Sequence, residues 1–288
     1  MAIAKIAAPL SGSRRDAVVL ATAFALAKPS RAYVDAVFIH PDPREAIPVS
    51  DLPIAPEIVQ ELVDAAEIAR KAAAKAARQA LSTAAAHWGI KIISVPERME
   101  TATATWREIT GHPEDMLNDI AKLADLVVFP PMAADDPDMM HRAFVHVLTR
   151  TGRPVVLCAD KVPAKVGSIV GVAWDGGATA AHALTAAISI LEEAASVELI
   201  CVRPDSDARV SIEEAKQYLA LHGIKAKDTR IETKTRKIGN ELLETARAKG
   251  YDLLVMGGYG HSRLIESVFG GTTEFLASHP EIPILMVH

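Results

Sequence analysis

The sequence predicts two tandem doubly wound, Rossmann-like α/β domains, each with a five-stranded, mostly parallel sheet. Three observations predict it. The chain repeats itself once, and within each repeat short apolar runs alternate with helical stretches. Those runs are apolar throughout rather than at every second residue, as strands covered on both faces can be. At 288 residues the chain is long enough for two domains of ordinary size, each burying its own core.

The repeat rests on four correspondences that keep their order. Lys5-Ile6-Ala7-Ala8-Pro9-Leu10-Ser11-Gly12 matches Ile169-Val170-Gly171-Val172-Ala173-Trp174-Asp175-Gly176, an apolar run and then a small polar turn. Trp88-Gly89-Ile90-Lys91 matches His222-Gly223-Ile224-Lys225, and Asp125-Leu126-Val127-Val128 matches Asp252-Leu253-Leu254-Val255. Each half closes on a Pro-led strand, at Pro154-Val155-Val156-Leu157 and at Pro283-Ile284-Leu285-Met286-Val287. The polar segment from Asp160 to Gly167, with its Pro and Gly, separates a first domain, 1–162, from a second, 166–288.

Taken in order, the N-terminal apolar stretch meets a turn signal at once, so it predicts a first strand and not a secretion signal. A Pro-rich segment beginning at His40-Pro41 leads into an Ala-rich helix from about Pro56 to His87, whose Lys, Arg and Glu residues suit a solvated helix. In the second half, apolar residues at helical spacing mark a helix from Ala178 to Glu193. Ser211 followed three residues later by Glu214 marks the start of the next. Strands alternating with helices imply right-handed crossovers and a parallel sheet.

Composition excludes several functions. A formal charge of -5 argues against a sequence-independent nucleic-acid binder, which needs a basic face. No run approaches the roughly 20 apolar residues that span a bilayer, so no membrane role is expected and the cytoplasm is the default location. Cys158 and Cys201 lie in apolar, strand-like runs and read as core thiols. His141 and His146 are five apart and share no helical face, and no Cys–His ligand spacing occurs, so no metal is expected. The Walker pattern and the G-x-S-x-G elbow are both absent.

Chemistry is concentrated in the segment Met256-Gly257-Gly258-Tyr259-Gly260-His261-Ser262-Arg263, continuing through Phe269-Gly270-Gly271-Thr272-Thr273. A buried strand there ends in a glycine-rich loop before a helix. Such a loop lets backbone N–H groups approach a polyphosphate. The spacing Gly257, two residues, Gly260, nine residues, Gly270 resembles the G-x2-G-x9-G-[ST] motif of the universal stress protein family. The turn Ala173-Trp174-Asp175-Gly176-Gly177 resembles that family's first-strand signature, and the closing Pro-led strand its last.

The resemblance implies an adenine nucleotide, ATP with or without Mg2+. Ala173, Asp175 and Val202 would lie at the adenosine end, and Gly257, Gly260 and Gly270 at the phosphates. His261 and Arg263 would add charge there. At the [ST] position stands Gly271, with Thr272 and Thr273 just beyond: either a threonine hydroxyl substitutes from one residue along, or the site loses one hydrogen bond of about 0.5–1.5 kcal/mol. In the first half Pro130-Pro131-Met132-Ala133 replaces the glycines, Ala143-Phe144 the later glycine and Ser11 the Asp, so that half is not expected to hold ATP.

The expected function is a stress-response or regulatory protein that binds nucleotide through its second domain. It would be at most a weak ATPase, since no base to orient water is evident. The alternative is a nucleotide-free scaffold whose long helix docks a protein partner. Domains of this family associate through their last strands, so the tandem is expected to mimic a dimer internally and to self-associate further as a homo-oligomer.

Overall fold

The structure, a computed structural model, describes residues 3–48, 54–132, 138–201, 210–231, 238–258, 271–279 and 281–288. The first half runs β1 (Lys5–Leu10), α1 (Asp16–Ser30), β2 (Tyr33–His40), a 3-10 turn at Pro43–Ala46, α2 (Pro56–Trp88), β3 (Lys91–Ile92), β4 (Thr103–Thr110), α3 (Pro113–Lys122), β5 (Leu126–Phe129), α4 (Asp138–Arg150) and β6 (Val155–Leu157). The second runs β7 (Ile169–Trp174), α5 (Ala178–Leu191), β8 (Ser196–Cys201), α6 (Ile212–Leu221), β9 (Ala226–Arg230), α7 (Ile238–Lys249), β10 (Leu253–Gly257), α8 (Gly271–Ser278) and β11 (Ile284–Val287).

All described strands form one sheet in the order β3-β4-β2-β1-β5-β6-β11-β10-β7-β8-β9. Every described pairing is parallel except β6 with β11, which is antiparallel. The expected pair of parallel sheets is therefore present, fused edge to edge. The two-residue β3 adds a sixth strand to the first half. Across the seam Val155 faces Met286 and Leu157 faces Ile284, a register that an internal twofold axis maps onto itself. Strands of the two halves run in opposite directions, so their carboxyl ends lie at opposite edges of the sheet.

The repeat is visible atom by atom. Asp125, before β5, accepts hydrogen bonds from the N–H groups of Ala4 (2.8 Å) and Lys5 (2.9 Å) at the start of β1. Its counterpart Asp252 accepts from Gly167 (3.0 Å), Ser168 (2.9 Å) and Ile169 (3.0 Å) at the start of β7. In both halves one carboxylate pins the first strand beside its neighbour, β5 in the first half and β10 in the second.

Helices cover both faces of the sheet, as continuously apolar strands require. One core lies between the sheet and α1, α2, α5 and α6, the other between the sheet and α3, α4, α7 and α8. α6 opens on the expected capping box: the Ser211 N–H donates to Glu214 Oε2 (2.9 Å), and the Glu214 N–H donates back to Ser211 Oγ (3.2 Å). α2 is the departure from symmetry, with 33 residues against 10 in its counterpart α6. Its fully buried side chains, Ala77, Leu81 and Ala85, all lie in its C-terminal part, while Ile58 and Ile68 farther back are 51% and 70% exposed.

Candidate functional site

In the second half β7 and β10 are neighbours, and the chain leaves them in opposite directions, toward β8 and toward β11. That divergence opens a crevice at the carboxyl ends of the two strands, the place where sheets of this kind take ligands. Asp175 lies at the end of β7 and Gly257 at the end of β10, so the topology brings these two expected site residues together.

Asp175 is exposed, and its Oδ1 accepts the N–H of Gly177 at 2.8 Å, shaping the turn into α5. Ala173, on β7, is half-buried and faces the core shared with α7 and α8. Gly257 has a packing role of its own: a Cβ there would lie 2.5 Å from Thr179 Oγ1 and 2.8 Å from the Thr179 carbonyl carbon, so only glycine lets β10 approach the first turn of α5. Gly258 donates its N–H to the Val287 carbonyl at 2.8 Å, and its own carbonyl lies 3.1 Å from His288 Nδ1.

Gly271 begins α8 and is exposed, and a Cβ added there would meet none of the described residues within 4 Å. Thr272 follows it half-buried, and Thr273 is buried. Among the described residues, then, nothing obstructs a side chain where the motif calls for a hydroxyl. Val202, Gly260, His261, Arg263 and Gly270 lie outside the described residues.

The matching positions of the first half are filled. Asp16, at the start of α1, is buried and accepts the N–H groups of Ser11 (2.9 Å) and Gly12 (2.8 Å), so a side chain of the chain itself occupies the turn after β1. Burial pushes its carboxyl above the usual range, partly offset by those bonds. Gly12 takes φ of +81°, and a Cβ on it would lie 2.5 Å from the carbonyl oxygen of Ala73, so α2 rests directly on the turn. After β5, Pro130, Pro131 and Met132 are buried, and Phe144 of α4 packs edge-on against Phe129 with centroids 5.5 Å apart.

Sequence reasoning missed two buried carboxylates at matching positions on the second strand of each half, Asp35 on β2 and Glu198 on β8. Asp35 receives both arms of the Arg107 guanidinium (2.9 and 2.6 Å), with Lys5 Nζ at 3.3 Å. Glu198 accepts from the Tyr251 hydroxyl (2.7 Å), Lys249 Nζ (3.0 Å) and Thr229 Oγ1. A signal was available: Val34-Asp35-Ala36-Val37 and Val197-Glu198-Leu199-Ile200 each set one acid inside an apolar run. These networks hold the sheet together away from the crevice.

Both cysteines are buried and unpaired with each other, and burial pushes the Cys158 thiol up to about 12, which makes it inert. His40 closes β2 with Nδ1 2.9 Å from the Pro41 carbonyl, and His146 Nδ1 lies 2.9 Å from Glu114 Oε1. Among the described residues no cluster of metal-ligating side chains forms, and no helix is long and apolar enough to cross a membrane.

Comparison with known proteins follows the same division of the chain. Residues 168–288 match the Universal stress protein family. No curated protein matches the sequence. Among solved structures, a universal stress protein from Archaeoglobus fulgidus DSM 4304 is similar to the chain at 18% identity, with a TM-score of 0.65, over 98% of this chain and 97% of that one. A functionally unknown protein from Pseudomonas aeruginosa PAO1 is similar at 14% identity and a TM-score of 0.57, over 99% and 92%. Residues 168–288 therefore match the universal stress protein family, and along its whole length the chain shares the fold of a solved structure that bears that name.

Proposed function

We propose that the chain is a stress-response regulatory protein that binds ATP, or another adenine nucleotide, in its C-terminal unit, 166–288, and not in its N-terminal unit, 1–162. The observation that carries this reading is the contrast between the two halves. After β1 the turn is stoppered by Asp16 and covered by α2, and after β5 a block of prolines is buried. After β7, Asp175 stands exposed beside the end of β10, and α8 opens on an exposed Gly271 that no other described residue crowds.

Asp175 and Val202 would hold the adenosine end. The backbone of the glycine loop and the start of α8 would face the phosphates, where a helix N-terminus favours negative charge. His261 and Arg263 would add cationic partners, and Mg2+ would arrive with the phosphates. On this reading the function is binding, with at most a weak turnover of ATP. A rival reading, an interaction protein without nucleotide, draws on the exposed Ile58 and Ile68 of α2, which suit a protein partner or a second copy.

Thermal unfolding with Mg-ATP decides between them. At 100 times the dissociation constant, ligand should stabilise the protein by about 2.7 kcal/mol. Gly271→Ser should then tighten binding about 2- to 13-fold, the yield of one hydrogen bond of about 0.5–1.5 kcal/mol, because no described residue obstructs the new side chain. A melting temperature that ignores Mg-ATP in both proteins favours the interaction protein.

A further inference from the structure

α2 is longer than the first half needs for its core. Its side chains become fully buried only from Ala77 onward, and residues 56–76 bury none. Ala73 already lies over the turn after β1, and Arg70 reaches Glu108 near the end of β4.

The outer side of this stretch carries an apolar seam. Ile58, Leu62, Ala65, Ala69, Ala72 and Ala76 follow one another at alternating steps of four and three, the repeat by which two helices interlock. Leu62 is half-buried and the other five are exposed. At 1.5 Å per residue the seam is about 28 Å long. A helix face given over to water gains nothing from apolar residues kept at this spacing. Along one flank of the seam stand Glu61, Ile68 and Lys75, seven residues apart, with Ile68 70% exposed. Acid, apolar residue and base are thus set out in a row whose two ends are opposite in charge.

We propose that this face of α2 joins two copies of the chain as an antiparallel helix pair. A twofold axis beside Ile68 sets Glu61 against the partner's Lys75 and Lys75 against the partner's Glu61, with the two Ile68 side chains meeting between them. Along the seam the same axis matches Ile58 with the partner's Ala76, Leu62 with the partner's Ala72 and Ala65 with the partner's Ala69. The larger residues, Ile58 and Leu62, each meet a small one, as close packing requires. A parallel pair would set Glu61 against Ala66 and Lys75 against Ala80, leaving both charges unanswered, so the flank selects the antiparallel arrangement. The counterpart helix α6 has 10 residues against 33 and no such extension. One self-matching face per chain closes the assembly at two copies. The pairing requires no nucleotide and is independent of the function proposed above.

Sedimentation equilibrium of the full chain without nucleotide tests it. Wild type should form a dimer and no larger species. Ile68→Asp should weaken dimerisation by at least about 10-fold, since two carboxylates then meet at the axis. Glu61→Lys and Lys75→Glu should each weaken it by about 10-fold, because each sets like charges together on both sides of the axis. A variant carrying both changes should return to within about threefold of wild type, and an equimolar mixture of the two single variants should do the same. All three positions are exposed, so the variants keep the fold. Within one chain, positions 61 and 75 lie about 21 Å apart along the helix, too far to pair, so the rescue reports contact between copies. A wild type that stays monomeric, a dimer indifferent to the substitutions, or reversed charges that fail to rescue each other would overturn the proposal.

Discussion

Replacing Gly12 with alanine should cost the protein about 2–6 kcal/mol, seen as a lower urea midpoint with an unchanged slope, since a left-handed residue and an overpacked contact each cost about 1–3 kcal/mol. The added methyl has nowhere to go. At φ of +81° it points at the backbone of Ala73, with its carbonyl oxygen 2.5 Å away and its Cα 2.7 Å away, and neither can rotate aside as a side chain end could. Gly89→Ala separates the two costs. Gly89 takes φ of +66° as well, but nothing lies within 4 Å of its Cβ position. The difference between the variants measures how firmly α2 sits on the turn after β1. Equal losses would mean that α2 does not rest there, and the first-half crevice would be open after all.

Removing the Glu198 carboxylate has the second large consequence. Glu198→Ala should lose about 2–4 kcal/mol, because it deletes charge-assisted bonds and leaves the buried Tyr251 hydroxyl without its acceptor. Burial alone would raise the carboxyl of Glu198; the donors Thr229, Tyr251 and Lys249 reverse that and hold it below its ordinary 4.5. The unfolded chain therefore takes up this proton first as the solution is acidified. The contribution of Glu198 is complete above pH 4.5 and fades as pH falls through the lower folded value. Wild type should lose more stability than the variant in that acid window. Asp16, raised by burial, acts in the opposite sense but equally in both proteins, so their difference isolates Glu198. Parallel curves for the two proteins across the acid range would remove the charged network from the account.

The duplication, the alternation of strands and helices and the place of α2 were all legible from apolar runs and helix propensity, because burial on both faces of a sheet leaves a compositional trace. The end of β7 and the end of β10 were legible too, since Asp175 and Gly257 sit where short polar or glycine turns interrupt those runs. What the residues did not disclose is three-dimensional pairing. Asp16 reads as an ordinary first-turn acid, yet it stoppers Ser11 and Gly12. Asp35 and Glu198 read as polar lapses in strands, and their partners Arg107 and Tyr251 lie 72 and 53 residues away in sequence. Gly257 was chosen for its suitability to phosphate, whereas its nearest demand is the approach of Thr179. Such contacts depend on which elements become neighbours, and no local pattern encodes that.

The antiparallel seam between β6 and β11 also limits how copies of the chain can polymerise. It consumes the last strand of each half, leaving as outermost rails the two-residue β3 and the five-residue β9. One is too short to template a partner, and the other presents exposed Lys227, Asp228 and Arg230. Lateral growth of the sheet into filaments through these described edges is therefore disfavoured.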